Sequence, residues 1–68
     1  NSVSDAGVGA LAAVAGVRGA YLNVQINVDG LDDKTYVEKV LKDGQEIVDK
    51  SMALEKEILI KVEEVINK

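Results

Sequence analysis

The 68-residue sequence contains no cysteine, histidine, tryptophan, phenylalanine or proline. Without cysteine, neither a disulfide nor a thiolate metal site can stabilise so small a chain. Without histidine, the side chain most often used as general base or metal ligand is missing, so we expect no metal. Two aromatic residues, Tyr21 and Tyr36, are too few for a surface that stacks nucleic-acid bases.

The charge balance is acidic, with a formal net charge of −4 and an isoelectric point near 4.6. Nucleic acids and anionic membranes are therefore not expected as partners. The absence of cysteine fits a reducing compartment, so we expect a cytoplasmic protein. A chain of this length forms at most one small domain and buries only about 60% of its unfolded surface.

No membrane span is expected from the hydropathy pattern. Residues 6–17 are uncharged, but this run is shorter than the ~20 residues that a span needs, and Arg18 ends it. An extension to Val28 would place Arg18 and three amide side chains in lipid, which is costly.

The stretch from Ser4 to Val28 predicts a first helix over about residues 5–28. Ser4 is a suitable N-cap, and Asp5 lies in the first turn, where the helix dipole favours negative charge. Four glycines in a helix interior need a compensating reason, and close packing of neighbouring helices supplies one. Small residues recur at helical spacing in two overlapping sets, which are Ala12, Gly16, Ala20 and Gly9, Ala13, Gly16, Ala20.

The end of this stretch is open to two interpretations. Residues 22–29 alternate apolar and polar side chains, which is typical of a half-buried strand. We prefer a helix because the sequence contains no second alternating run that could be its partner. In a helix, Asn23 and Asn27 share a face with Gly16 and Ala20.

A turn over residues 29–32, marked by Asp29-Gly30, precedes a second helix over about residues 33–66. Asp32 or Asp33 is expected to cap it, and its length would be about 50 Å. Gly44 is the expected place for a bend or a break. The apolar stripe of this helix comprises Val37, Val40, Leu41, Ile47, Val48, Leu54, Ile58, Val62 and Val65.

These elements predict an all-α fold made of two long helices that belong to a larger helical bundle. The first helix is apolar on every side and must be covered on every side. One further helix cannot do this. Either several copies associate, or additional chain segments complete the domain.

Two motifs carry a resemblance to a known family. The opening Asn1-Ser2-Val3-Ser4-Asp5-Ala6-Gly7-Val8 and the segment Arg18-Gly19-Ala20-Tyr21-Leu22-Asn23-Val24-Gln25-Ile26-Asn27 are the residues concerned. Together they resemble the C-terminal part of the formiminotetrahydrofolate cyclodeaminase and methenyltetrahydrofolate cyclohydrolase family. Members of that family carry an N-S-x-S-D-A-G-V-like opening, a G-A-x-x-N-V-x-I-N-like segment and a charged terminal helix.

The resemblance implies an all-α homodimer that binds a tetrahydrofolate derivative in a cleft and uses no metal. It also implies that residues 1–68 are the C-terminal part of one longer domain, whose N-terminal helices lie outside this sequence. Cyclodeaminases close a 5-formimino group onto N10 and expel ammonia, which is a lyase reaction. Cyclohydrolases, which are hydrolases, add water to the 5,10-methenyl bridge. Both reactions need proton transfers around a tetrahedral carbon.

Each candidate site residue also has a purely structural interpretation. Ser4 is either an N-cap or a substrate contact, and Asp5 either complements the helix dipole or acts as the catalytic base. Asn23 and Asn27 either form a buried network between helices or bind the pterin or formimino group. Arg18 either forms a salt bridge or binds a carboxylate tail.

A function without catalysis is also open at this stage. The small residues of the first helix would equally suit a helical oligomerisation or interaction module. The sequence alone does not separate this alternative from the folate enzyme.

Overall fold

The computed structural model describes residues 2–67 and shows two long antiparallel α-helices. Helix α1 covers Ser2–Val28, and helix α2 covers Lys34–Ile66. Residues 2–67 contain no strand, so the predicted all-α fold is confirmed. The hairpin measures 55 × 15 × 12 Å. Its radius of gyration is 15.8 Å, against about 11 Å for a compact domain of this length, so it is a rod.

Helix α1 begins earlier than predicted, and the prediction of Ser4 as its N-cap is wrong. The helix already includes Ser2, so Ser4 lies inside the first turns. No glycine or proline precedes Asp5 in this helix, and nothing there stops the chain from adopting helical dihedral angles. Asn1 lies outside the described residues.

The alternating segment near the end of α1 is helical, as preferred, and α1 ends at Val28. Gly30 then adopts a φ of 89°, the left-handed conformation that glycine tolerates best at a helix end. The Leu31 N–H donates to the Val28 carbonyl at 3.1 Å and closes the turn. The Asp29-Gly30 turn is therefore confirmed.

Asp33, rather than Asp32, caps α2. Its side chain accepts a hydrogen bond from the Tyr36 N–H at 3.0 Å. This bond satisfies one of the backbone donors that have no partner in the first turn of a helix. Asp32 lies in the connecting loop.

Gly44 does not break α2, which runs without interruption through this position. The ring of Tyr21 lies against Gly44 instead, where a Cβ atom would be 2.5 Å from Cδ1 and would also clash with Cε1. The Tyr21 hydroxyl donates to the Leu41 carbonyl at 2.8 Å. Because Gly44 has no side chain, the Tyr21 ring can contact the backbone of α2. This contact explains why a glycine is tolerated there.

The two helices meet along stripes with an average spacing of 3.5 residues, as in a coiled coil. On α1, the residues that are not exposed are Val3, Gly7, Ala10, Val14, Val17, Tyr21, Val24 and Val28. On α2, they are Val37, Val40, Leu41, Gly44, Val48, Ser51, Glu55, Ile58, Leu59 and Val62. Three members of the predicted stripe, Ile47, Leu54 and Val65, are exposed instead.

The core of the hairpin is thin. Val14 and Val48 are its buried hydrophobic residues, at 7% and 6% exposure. The rest of α1 faces outward, and large side chains such as Val8 and Ile26 remain 66% and 62% exposed. The second helix therefore covers one face of α1, as expected of a pair of helices.

Helix α1 is long and apolar enough to cross a membrane, with a mean hydropathy of 1.2 over its best window. Of that window, 11% is buried in the hairpin. A single helix of this kind is weak evidence, because the core helix of a soluble protein satisfies the same criteria.

We predict that Gly44→Ala destabilises the hairpin even though alanine favours a helix by about 1 kcal/mol. The added methyl group displaces the Tyr21 ring, and such overpacking costs about 1–3 kcal/mol. Urea unfolding followed by circular dichroism measures the change. Gly19→Ala is the matched control, because no atom lies within 4 Å of a Cβ there. This control should gain stability, and an equal gain in both variants would contradict the packing.

We also predict that Asp33→Ala costs about 1 kcal/mol of stability, because it removes the side-chain acceptor of the Tyr36 N–H. The same unfolding experiment measures it. Asp32→Ala removes the same charge from the same loop without removing the cap, and should change stability by less than about 0.5 kcal/mol. Equal losses in the two variants would assign the effect to charge rather than to capping.

Candidate functional site

The proposed catalytic Asp5 lies in the first turns of α1, beside Ser4, and both residues are exposed. The first turn of a helix carries free N–H groups and a partial positive charge, which attract anions. A carboxylate here is accessible to a ligand from outside the hairpin. Asp5 is thus placed to accept a proton or a hydrogen bond from a bound molecule.

Asn23 and Asn27 lie one turn apart near the other end of α1, and both are exposed. The Asn27 Nδ2 donates to the Asn23 carbonyl at 2.8 Å. The alternative of a buried network between these amides and α2 is not formed within this chain. Their amide groups face outward, on a surface that α2 leaves uncovered.

Asp5 and Asn23 point in the same direction but are far apart. They are separated by eighteen residues of continuous helix, which is five complete turns and about 27 Å. Within a single copy, the carboxylate and the amides therefore cannot act on the same atom of a small ligand. The continuous helix therefore keeps them at opposite ends of one face.

Arg18 lies elsewhere, about 140° around α1 from Asn23. It borders a groove of about 470 Å³ between the two helices. We call this groove the Arg18 groove; its lining comprises Arg18, Gly19, Tyr21, Leu22, Gln25, Gln45, Val48 and Met52. Its position separates Arg18 from the other candidate residues.

The chemistry of the Arg18 groove suits an elongated ligand with an acidic end. Arg18 forms no ion pair within residues 2–67, so the alternative of an intrachain salt bridge is not observed. A guanidinium group binds a carboxylate in bidentate fashion. Met52 and Leu22 provide apolar walls, and Gln25 provides an amide. The Gln45 amide is already engaged, because its Nε2 donates to Asp49 Oδ1 at 2.9 Å.

Titratable residues do not gather into a metal site in the described part of the chain. Residues 2–67 hold no group of three or more histidine, cysteine, aspartate or glutamate side chains that could bind a metal ion. The five candidate residues offer one carboxylate, two amides, one hydroxyl and one guanidinium.

Sequence reasoning did not identify the α2 side of the Arg18 groove. Gln45 and Met52 line it from α2, and neither has a motif around it. The spacing of Leu41, Gly44 and Val48 could have indicated it, because this spacing places Gly44 on the stripe of α2 that contacts α1. A glycine on such a stripe indicates a close approach of the partner helix rather than a break.

A family model described as Formiminotransferase-cyclodeaminase matches residues 1–46. These residues include α1, the turn and the first part of α2. All five candidate residues, namely Ser4, Asp5, Arg18, Asn23 and Asn27, fall within the match. Lys68 and the charged end of α2 fall outside it.

A curated relative is similar over nearly the whole chain. It is the methenyltetrahydrofolate cyclohydrolase of Methylorubrum extorquens, which is 42% identical over 67 residues. The alignment covers 98% of this chain and 32% of the relative, so the chain spans about a third of the relative's length. No solved structure matches the chain.

Proposed function

The chain belongs to the formiminotransferase-cyclodeaminase family, and from this membership we propose that it forms part of an enzyme of folate one-carbon metabolism. The observation that supports this most strongly is the 42% identity with a methenyltetrahydrofolate cyclohydrolase across 98% of the chain. We therefore propose hydrolysis of 5,10-methenyltetrahydrofolate as the reaction. Cyclodeamination of 5-formiminotetrahydrofolate is the related alternative, to which the family description points.

Hydrolysis of a methenyl bridge requires water to add to a carbon that lies between two nitrogen atoms. A proton must leave the attacking water, and one of the nitrogens must accept a proton as its bond to the carbon breaks. Asp5 is proposed as the base that takes the first proton, a role that typically contributes a factor of 10²–10⁴ to the rate. Its exposure at a helix N-terminus supports this assignment.

The remaining candidates are proposed as substrate contacts. Asn23 and Asn27 present amides that can donate to and accept from the pterin ring, and Ser4 offers a hydroxyl beside Asp5. Arg18 is proposed to bind the carboxylate tail of the folate in the Arg18 groove. The proposed ligand is thus a folate substrate, and no metal is proposed.

We further propose a cytoplasmic homodimer in which additional helices of the same domain cover α1. The uncovered faces of α1 support this, because exposed apolar side chains such as Val8 and Leu11 favour burial against another helix. The relative's greater length is consistent with such additional helices.

We predict that Asp5→Asn lowers turnover of methenyltetrahydrofolate by at least a hundredfold in the full-length protein that contains this chain. Asn23→Ala should lower it about fivefold, because it removes a hydrogen bond worth about 1 kcal/mol. Loss of the methenyl absorbance measures both rates. Asp32→Asn changes the same functional group in the exposed loop and should leave the rate unchanged.

Unchanged rates in both Asp5→Asn and Asn23→Ala would refute these assignments. Size-exclusion chromatography of each variant is needed alongside, so that loss of association is not mistaken for loss of a catalytic group. A wild-type protein that turns over formiminotetrahydrofolate but not methenyltetrahydrofolate would select the alternative reaction.

A non-catalytic interaction module is the second candidate function. It is favoured by one observation, which is the open space beside Gly9, Gly16 and Gly19 on the outer surface of α1. Helices approach closely at such positions whether or not a substrate is bound. A full-length protein that associates normally but turns over neither folate would support this function.

A further inference from the structure

The Tyr21 ring separates two grooves that lie on different sides of the hairpin. One is the Arg18 groove of about 470 Å³, and the other measures about 400 Å³. We call the second one the apolar groove; its lining includes Val17, Ala20, Val24, Val40 and Ile47. Arg18 and Val17 lie about 100° apart around α1, with Tyr21 between them. Among the described residues that line these grooves, Tyr21 is common to both.

The two grooves differ in chemistry, which indicates what each can bind. The Arg18 groove offers a guanidinium group and the amide of Gln25 beside apolar walls. In the lining of the apolar groove, by contrast, Asp43 is the one charged residue. Another helix of a larger domain is favoured on the apolar side, because burial of an unpaired guanidinium group is costly. The Arg18 groove is therefore the side that suits a charged small ligand.

Two contacts hold the Tyr21 side chain in place. Its ring lies against Gly44, where a Cβ atom would clash with it, and its hydroxyl donates to the Leu41 carbonyl at 2.8 Å. Leu41 lies one turn before Gln45, which lines the Arg18 groove from α2. Since the hydroxyl already has its partner, Tyr21 presents the carbon atoms of its ring to the two grooves.

Arg18 depends on this arrangement for its position. It lies three residues before Tyr21, so the two side chains are neighbours on the surface of α1. It forms no ion pair within residues 2–67. The wall that faces it across the groove comprises Gln45 and Met52 of α2. The ring between the helices therefore determines how far the guanidinium group lies from that wall.

We propose that Tyr21 is the positioning residue of the Arg18 groove: by resting on Gly44, it sets the width of the groove and so the placement of Arg18 against the carboxylate of a bound ligand. The ligand class is an aroyl-amino acid, whose aromatic ring lies against the apolar walls and whose carboxylate binds the guanidinium group. The para-aminobenzoylglutamate tail of a folate has this chemistry. The identity of the ligand rests on the proposed function, whereas the contact between Tyr21 and Gly44 does not.

A positioning role has a kinetic signature that a structural role lacks. The tail of the substrate keeps its contacts while the one-carbon bridge reacts, so it contributes equally to the ground state and the transition state. Loss of such binding raises KM and leaves kcat unchanged. Loss of folded protein instead lowers the apparent kcat and leaves KM unchanged.

Calorimetric titration of the full-length protein with para-aminobenzoylglutamate tests the role of the ring. Tyr21→Leu should raise the dissociation constant about tenfold, the loss expected for one hydrogen bond to a charged group. Tyr21→Phe keeps the ring and should raise it less than about threefold, the loss expected at most for one neutral hydrogen bond. Equal losses in the two variants would assign the effect to the hydroxyl and overturn the role of the ring.

Gly44→Ala displaces the ring by a second route, since its methyl group fills the space where the ring lies. This variant should also weaken binding of the tail fragment. Val14→Ala is the control for stability, because it removes buried methyl groups beside a different groove and leaves the Arg18 groove intact. Its dissociation constant should equal that of the wild type. Equal weakening by Val14→Ala and Tyr21→Leu would reduce the effect to general destabilisation and overturn the proposal.

A double-mutant cycle tests whether Tyr21 acts through Arg18. Arg18→Gln should weaken binding of the tail fragment about tenfold or more, because it removes the charge that the carboxylate binds. Adding Tyr21→Leu to Arg18→Gln should then change the dissociation constant little, since residues that act through one contact are not additive. Fully additive losses would show that the ring does not position Arg18.

Turnover separates this proposal from the proposed function. Tyr21→Leu should raise KM for methenyltetrahydrofolate about tenfold, in step with the dissociation constant of the tail fragment, and leave kcat near the wild-type value. A lower kcat with an unchanged KM would overturn the positioning role. A wild-type protein that turns over folate but does not bind the tail fragment would also overturn it. A protein that binds the fragment through Tyr21 and Arg18 without turning over any folate would support the positioning role and refute the proposed function.

Discussion

The contact of the Tyr21 ring with Gly44 determines how the two helices fit together. The ring occupies the space that a side chain at position 44 would fill, and its hydroxyl bonds to the Leu41 carbonyl at 2.8 Å. One aromatic residue thus defines both the separation and the register of α1 and α2 near the middle of the hairpin. The valines on either side, including Val14 and Val48, then follow at coiled-coil spacing.

The same arrangement leaves α1 open on its other faces. A helix whose exposed surface carries only Asp5 and Arg18 as charged side chains gains little from exposure to water, and the free energy of burial favours a further partner. The candidate polar side chains lie on these open faces. Asp5, Asn23 and Asn27 lie on the uncovered part of α1, so whatever covers that surface also determines their surroundings.

Membership of the formiminotransferase-cyclodeaminase family and the geometry of the hairpin agree on this point. The chain spans about a third of the length of its cyclohydrolase relative and holds polar groups that do not meet within one copy. The proposed folate site therefore requires surface beyond this hairpin. A second copy and additional helices of the same domain are compatible with each other, because α1 has more than one open face.

Local chemistry was sufficient to predict both long helices, the Asp29-Gly30 turn and the acidic cap of α2. Each of these depends on dihedral preferences and hydrogen bonds within a few residues of sequence. The role of Gly44 and the exposure of Asp5 and Asn23 were decided by tertiary structure. Considered within its own helix, Gly44 predicts a break. In the folded hairpin it is instead the point at which the Tyr21 ring contacts α2. Likewise, periodicity gives the direction of a side chain, but which surface that direction meets depends on how the helices pack.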